Sequence, residues 1–174
     1  MQQPEPRLQT GRLVLRPWRV QEADIRRALW AERDPRVPAH RRLDAQGRPT
    51  VEELAERIRS TAPAHGIGLL ALELKATREV IGYCGLTGND YGENDEPELA
   101  YELLRAHWGR GYATEAATAI VDWARSAGFR MLWAGVRDWN TASRRVLAKL
   151  GFVETGRVEA GPVHGDSLIT RLLL

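Results

Sequence analysis

The stretch from Glu98 to Val136 constrains the fold most. Glu98 to Leu104 reads as a strand, Gly109-Arg110-Gly111 as a turn, and the next residues as a helix. In that helix Ala113, Ala116, Ala117, Ile120, Val121 and Ala124 recur at three- and four-residue spacing. Gly128 is a stop signal, and Met131 to Val136 reads as another strand. A strand-helix-strand crossover joins neighbouring parallel strands. Short turns elsewhere imply antiparallel pairs. The expected fold class is therefore α/β, a single mixed sheet of six to seven strands with helices on both faces.

The remaining elements fit that frame. Arg12 to Arg16 alternates with period two before Pro17, so it reads as a strand near an edge. Val20 to Arg33 reads as a helix stopped by Pro35. Thr50 with Glu53 forms a capping-box pattern for a second helix running to about Thr61, before Pro63. Gly68 to Lys75 and Val80 to Leu86 read as a hairpin turning near Thr77 and Arg78. Asn140 is an N-cap for a helix with Ala142, Val146, Leu147 and Leu150 on its apolar side, ended by Gly151. Phe152 to Val158 and Ser167 to Leu174 read as the last strands. One domain over 1–174 is expected, with residues 1–8 as a loose tail.

Composition narrows the class. A chain of 174 residues can bury roughly two thirds of its unfolded surface, so it needs no disulfide or metal to hold its core. With one cysteine, Cys84, it forms no internal disulfide, and Met1 to Pro6 lack the order of a signal peptide. The expected compartment is the cytoplasm. No apolar run nears the length of about 20 residues that a membrane span needs. The formal charge is only +2, and the densest basic cluster (Arg36, His40, Arg41, Arg42, Arg48) falls in a connection between two helices. It reads as a solvated loop, with an anionic substrate or protein partner as the sharper alternative, and neither nucleic acid nor membrane is expected. No Cys/His spacing suggests a metal site. Cys84, mid-strand, reads as a packed small residue, and His107 as structural.

The turn carries the chemistry. The first amides of a helix lack intrahelical partners and sit at the positive end of its dipole, which suits a phosphate or pyrophosphate. By itself Gly-x-Gly fits a tight connector equally well. No Gly-Lys-Ser/Thr follows, so it is not a P-loop, and a dinucleotide fingerprint would need a third glycine where Thr114 stands. A second helix start, Asn140-Thr141-Ala142-Ser143, follows the second strand of the crossover. Strands of a parallel pair end on the same side, so both helix starts can face one ligand.

Taken together these segments resemble the GCN5-related N-acetyltransferase (GNAT) superfamily, and within it the RimJ/RimL branch. The resemblance rests on Thr10 to Pro17, Val80 to Leu86, Glu98 to Leu103, Trp108-Gly109-Arg110-Gly111-Tyr112-Ala113-Thr114-Glu115-Ala116, and Asn140 to Ser143 with Leu150-Gly151-Phe152. It is weakest from Ala31 to Ala64. Trp108 stands where the wider superfamily often has Gln or Arg, as is usual in the branch.

The resemblance implies acetyl-CoA as cosubstrate, no metal, and transfer of acetyl to a primary amine by direct attack. The acceptor would be a protein N-terminus or a small amine. The alternatives are a non-catalytic acyl-CoA sensor and a longer acyl donor such as succinyl-CoA. Backbone amides of Arg110, Gly111, Tyr112, Ala113 and Thr114 would hold the pyrophosphate. Leu103 and Leu104 would flank pantetheine between splayed strands, and Asn140 would bind the pantetheine arm or anchor the loop. Ser143 would bind cofactor and act as general acid at the sulfur. Glu98, through water, is the candidate general base, with Glu102 its neighbour on the same face. Trp30 and the arginine cluster would help choose the acceptor. Dimers are common among such proteins, so a homodimer is an open expectation.

Overall fold

The computed structural model describes residues 7–61 and 67–174. The elements are β1 (Leu8–Gln9), β2 (Leu13–Arg16), α1 (Ala23–Glu32), α2 (Val51–Ser60), β3 (Leu69–Leu74), β4 (Val80–Thr87), β5 (Glu98–Leu103), α3 (Tyr112–Ser126), β6 (Met131–Arg137), α4 (Thr141–Leu150), β7 (Val153–Glu159) and β8 (Ser167–Leu173). They form one eight-stranded sheet in the order β1-β2-β3-β4-β5-β6-β8-β7. The eighth strand is the two-residue β1, too short to show periodicity. Leu8 already pairs with Leu15, so the expected loose tail overlaps a paired strand at Leu8. The rest of that expectation falls on residues 1–6, outside the described residues, as does Pro63, the expected stop for α2.

Every pairing is antiparallel except β5 with β6. Strand alternation then sorts the two faces. Leu99, Tyr101 and Leu103 of β5 share one face with Cys84 and Leu86 of β4. They pack with Ala116, Ala117, Ile120, Val121 and Ala124 of α3 into the main core. The opposite face presents Tyr83 and Glu102 to Arg33, just beyond α1. The helix pair α1–α2 buries its own small cluster of Ala23, Leu54 and Ala55.

Local signals match the helix boundaries. Thr50 Oγ1 accepts from the Glu53 amide while the Glu53 carboxylate accepts from the Thr50 amide, so the capping box forms as expected. Gly151 ends α4 in the left-handed conformation, φ 90°. The first helix differs from its sequence reading: residues 20–22 form a 3₁₀ turn, and α1 starts at Ala23. The reason is Glu22, whose carboxylate turns inward to pair with Arg16, itself held by Glu73. Among the described residues, no helix is long and apolar enough to cross a membrane.

Candidate functional site

The sheet opens between β5 and β6. Their only registered pair is Glu98 with Trp133, supported by the Trp133 amide donating to Pro97 O at 3.0 Å. Two residues further along β6, the Gly135 amide donates to the Glu98 carboxylate at 3.1 Å instead of to a backbone carbonyl. A side chain thus fills the ladder position that the parting strands vacate. A Cβ at Gly135 would lie 2.6 Å from the Tyr91 hydroxyl, so a larger residue there would have to displace that ring.

Beyond Glu98 the β6-facing edge of β5 is open. The Leu104 amide donates to Ile81 O on β4. Along a strand, successive backbone groups point to opposite sides, so the amides of Leu103 and Tyr101 face the opening. Leu103 O is taken by the Trp108 indole at 2.8 Å, which folds the following segment back over the strand end. Trp108 thereby holds the turn while its ring stays exposed.

The turn lies at the wide end. Gly109 (φ 71°) and Gly111 (φ 80°) both adopt left-handed backbone, which other residues enter only with strain. The first intrahelical bond of α3 runs from the Glu115 amide to Gly111 O. The amides of Tyr112, Ala113 and Thr114 therefore precede the hydrogen-bonded ladder, and Gly111 caps without a side-chain bond. A Cβ at Gly109 would meet nothing within 4 Å, so the space in front of the turn is open. This donor set fits a pyrophosphate.

Glu115 would oppose such an anion were it free. Instead it accepts from Thr10 Oγ1 at 2.5 Å, the Arg12 amide at 2.8 Å and Arg12 Nε at 2.6 Å. Arg12 also donates to Arg110 O at 3.0 Å and stacks 4.4 Å from the Tyr112 ring centroid. The loop before β2 thus neutralises Glu115 and pins the turn. Burial raises the Glu115 pKa, but the bonds from Thr10 and Arg12 outweigh it and hold the carboxyl below its ordinary range.

On the α3–α4 side, Asn140 Oδ1 accepts from the Ser143 amide at 3.1 Å and caps α4. The Tyr101 hydroxyl donates to Ser143 O at 3.1 Å and lies 2.8 Å from Ser143 Oγ. Burial pushes the Tyr101 phenol up to about 12, so it is a neutral donor. Tyr101 was not singled out in the sequence, since alternation alone marks it as core. Its hydroxyl is instead the link from β5 to α4 across the opening.

The two carboxylates on the other face have separate environments. Glu98 is raised above its ordinary value, chiefly by burial, with the Gly135 amide and the charge of Arg41 opposing. Tyr91, pushed up to about 12 first by burial and then by the Glu98 charge, stands beside it. Glu102 receives Arg33 Nε and Nη2 at 2.7 Å each and the Tyr83 hydroxyl at 2.9 Å. Its acceptors are occupied in a fork-like pair.

The sequence's basic cluster divides: His40, Arg42 and Arg48 line one cleft with Trp30 and Arg57. Arg36 pairs with Asp34 and lies 4.0 Å over Trp139, while Arg48 pairs with Glu53. The Arg41 charge acts on Glu98 and Tyr83. Cys84 is fully buried and its thiol is pushed up by burial. His107 is buried with Nε2 3.2 Å from Glu79 Oε1. Among the described residues, no group of three or more His, Cys, Asp or Glu side chains is placed to hold a metal ion.

The Acetyltransferase (GNAT) domain family aligns with residues 12–153. The chain belongs to the GNAT family. It is 31% identical over 155 residues to an uncharacterized N-acetyltransferase p20 of Bacillus licheniformis, covering 86% of this chain and 83% of that one. A crystal structure of an acetyltransferase from Agrobacterium tumefaciens superposes with a TM-score of 0.71 at 26% identity, covering 100% and 98% of the two chains. Mycobacterium smegmatis RimJ in complex with CoA-disulfide shares the fold, with a TM-score of 0.66 at 23% identity over 97% of this chain and 86% of that one. The protein is accordingly an N-acetyltransferase of the GNAT type, moving an acyl group from an acyl-CoA to an amine.

Proposed function

We propose that the protein transfers acetyl from acetyl-CoA to a primary amine by direct attack, as a RimJ/RimL-like member of its family. The observation that carries this reading is the opening between β5 and β6, with the Gly109–Gly111 turn at its wide end and Glu98 at its apex. The amides of Arg110, Gly111, Tyr112, Ala113 and Thr114 hold the pyrophosphate. The open Leu103 amide meets pantetheine, and the Leu104 side contributes by shape, because its amide is already bonded to Ile81. Asn140 acts through its cap of α4, which sets Ser143 beside the sulfur's path.

The thioester is already activated, so positioning and proton transfer are the main tasks. The amine nitrogen bonds to the acyl carbon and the carbon–sulfur bond breaks. Glu98, through a water, takes the proton that the nitrogen loses. Its raised pKa moves it toward the operating pH, which suits a base. Ser143, hydrogen-bonded to Tyr101, gives a proton to the sulfur. Glu102 is a poor base because Arg33 and Tyr83 occupy its oxygens.

A thiol-release assay with an amine panel, paired with thermal stabilisation by acetyl-CoA and succinyl-CoA, tests the reading. Stabilisation by acetyl-CoA with turnover on at least one amine is expected. Preference for succinyl-CoA would overturn the acetyl assignment.

A further inference from the structure

On the face that carries Glu98 and Glu102, the helices α1 and α2 leave a cleft of about 150 Å³ over β3 and β4. A small group fits in that space and a folded surface does not. Three guanidiniums line it: Arg26, Arg33 and Arg57, with Trp30 and Tyr83 as aromatic walls. Arg33 is matched by Glu102. Among the described residues, Arg26 and Arg57 have no carboxylate within ion-pairing distance. Their guanidiniums rest on indoles instead, Arg26 at 5.3 Å from the Trp18 ring centroid and Arg57 at 5.9 Å from that of Trp30.

An unmatched arginine on a helix surface needs no explanation, but Arg26 is half-buried. Burial depresses its pKa; Tyr83 and the Glu102 charge oppose that, while the neighbouring Arg57 and Arg33 charges add to it. A buried charge without a partner is costly, and such groups are held at functional sites by the surrounding fold. The cleft lies on the same sheet face as Glu98, at its Glu102 end. Its floor residue Tyr83 faces Glu102 in the β4–β5 register, and the Arg41 charge is felt by both Tyr83 and Glu98.

We infer that the α1–α2 cleft is the anion subsite of the acceptor: the amine substrate carries a carboxylate or phosphoryl group, which Arg26 and Arg57 bind. Guanidiniums suit both anions through paired N–H donors. The fit selects an amine that also carries a small acidic group. The inference rests on the proposed acetyltransferase reading, whose acceptor it narrows.

The test compares amino acids with their carboxamides, and O-phosphoethanolamine with ethanolamine, by kcat/KM in thiol release. Binding is read in parallel by titrating N-acetyl amino acids, N-acetyl amino-acid amides and inorganic phosphate into the protein, which needs no turnover. Anionic members should be preferred, with the carboxylate and phosphate arms reporting which anion fits better. Arg26→Gln and, independently, the more exposed Arg57→Gln should lower activity and binding for anionic members roughly 10- to 100-fold, the range for one lost charge-assisted hydrogen bond. Neutral members should change less than about threefold, and acetyl-CoA stabilisation should persist. Equal use of neutral and anionic members, or equal losses for both in the variants, would overturn the inference. Failure of acetyl-CoA to stabilise the wild type would strike the proposed function instead, while the titration would still decide whether the cleft binds anions.

Discussion

The Glu98 carboxylate accepts a hydrogen bond from the Gly135 amide at 3.1 Å, across the point where β5 and β6 part. One side chain thus closes a break in the sheet and stands at the apex of the opening between the strands. Its burial disfavours the charged form.

This predicts opposite effects of Glu98→Gln on rate and stability. The amide oxygen can still accept from Gly135, so the splay is kept. Loss of the base should cut kcat by about 10²–10⁴-fold and remove the acidic limb of the pH–rate profile. Because the native pKa is raised, the folded protein binds that proton more readily than the unfolded chain. The group's favourable contribution is present below the ordinary carboxylate value and lost as pH rises through the native one. At pH 7 the variant should therefore melt at or above the wild-type temperature. A melting temperature clearly below wild type would show that the charge itself stabilises the splay.

Glu102→Gln should behave in the reverse way. It leaves Arg33 short of its charge partner beside Tyr83. A loss of about 2–3 kcal/mol is expected, below the range for fully buried pairs because both side chains are slightly exposed. For a domain of this size that is a fall of roughly 4–12 °C by calorimetry. The acidic limb of the pH–rate profile should remain, and its disappearance would make Glu102 the base.

Gly111→Ala should weaken acetyl-CoA binding without unfolding the protein. The added Cβ meets only Arg12 Nη2, at 3.5 Å, so the cost is the left-handed backbone rather than a clash. That strain is about 1–2 kcal/mol, or roughly 5- to 30-fold in Kd if the turn relaxes away from its binding shape. Calorimetric titration reads it directly, and an unchanged Kd would remove the turn from the cofactor site.

Glu115→Gln should loosen the same turn from the other side, through Thr10 and Arg12. The lowered Glu115 pKa means its stabilisation is present above the ordinary value of 4.5 and lost as pH falls through the native value. The melting temperatures of wild type and variant should differ at pH 7 and converge as the pH falls below the ordinary carboxylate value. A constant difference across that range would assign the effect to shape rather than charge.

Ser143→Ala and Tyr101→Phe test the acid. Each should lower kcat by about 10-fold or more with little change in the acetyl-CoA KM, and the double variant should cost little beyond the worse single one. Additive losses would show that the two hydroxyls act separately.

The elements were legible in sequence because their signals are local. Thr50 with Glu53, the apolar stripe of α3, and Gly151 after α4 each report on neighbours a few residues away. The turn at Gly109–Gly111 was legible for the same reason, since two glycines around Arg110 at a strand-to-helix junction already limit the backbone. Less visible was the difference in surroundings between Glu98 and Glu102. Two carboxylates at i and i+4 on one strand face look alike, and only Arg33 and Tyr83, from distant segments, tell them apart.

The amino-acid order by itself determined the strand and helix periods, the caps and the turn at Gly109–Gly111, since each depends on backbone preference and short-range hydrogen bonding. Only the tertiary structure decided where the sheet opens, that Tyr101 meets Ser143 across it, that Arg12 neutralises Glu115, and that Arg26 and Arg57 stand unmatched in one cleft. Those are relations of burial and charge between residues far apart in the chain, and no local pattern encodes a distance of that kind.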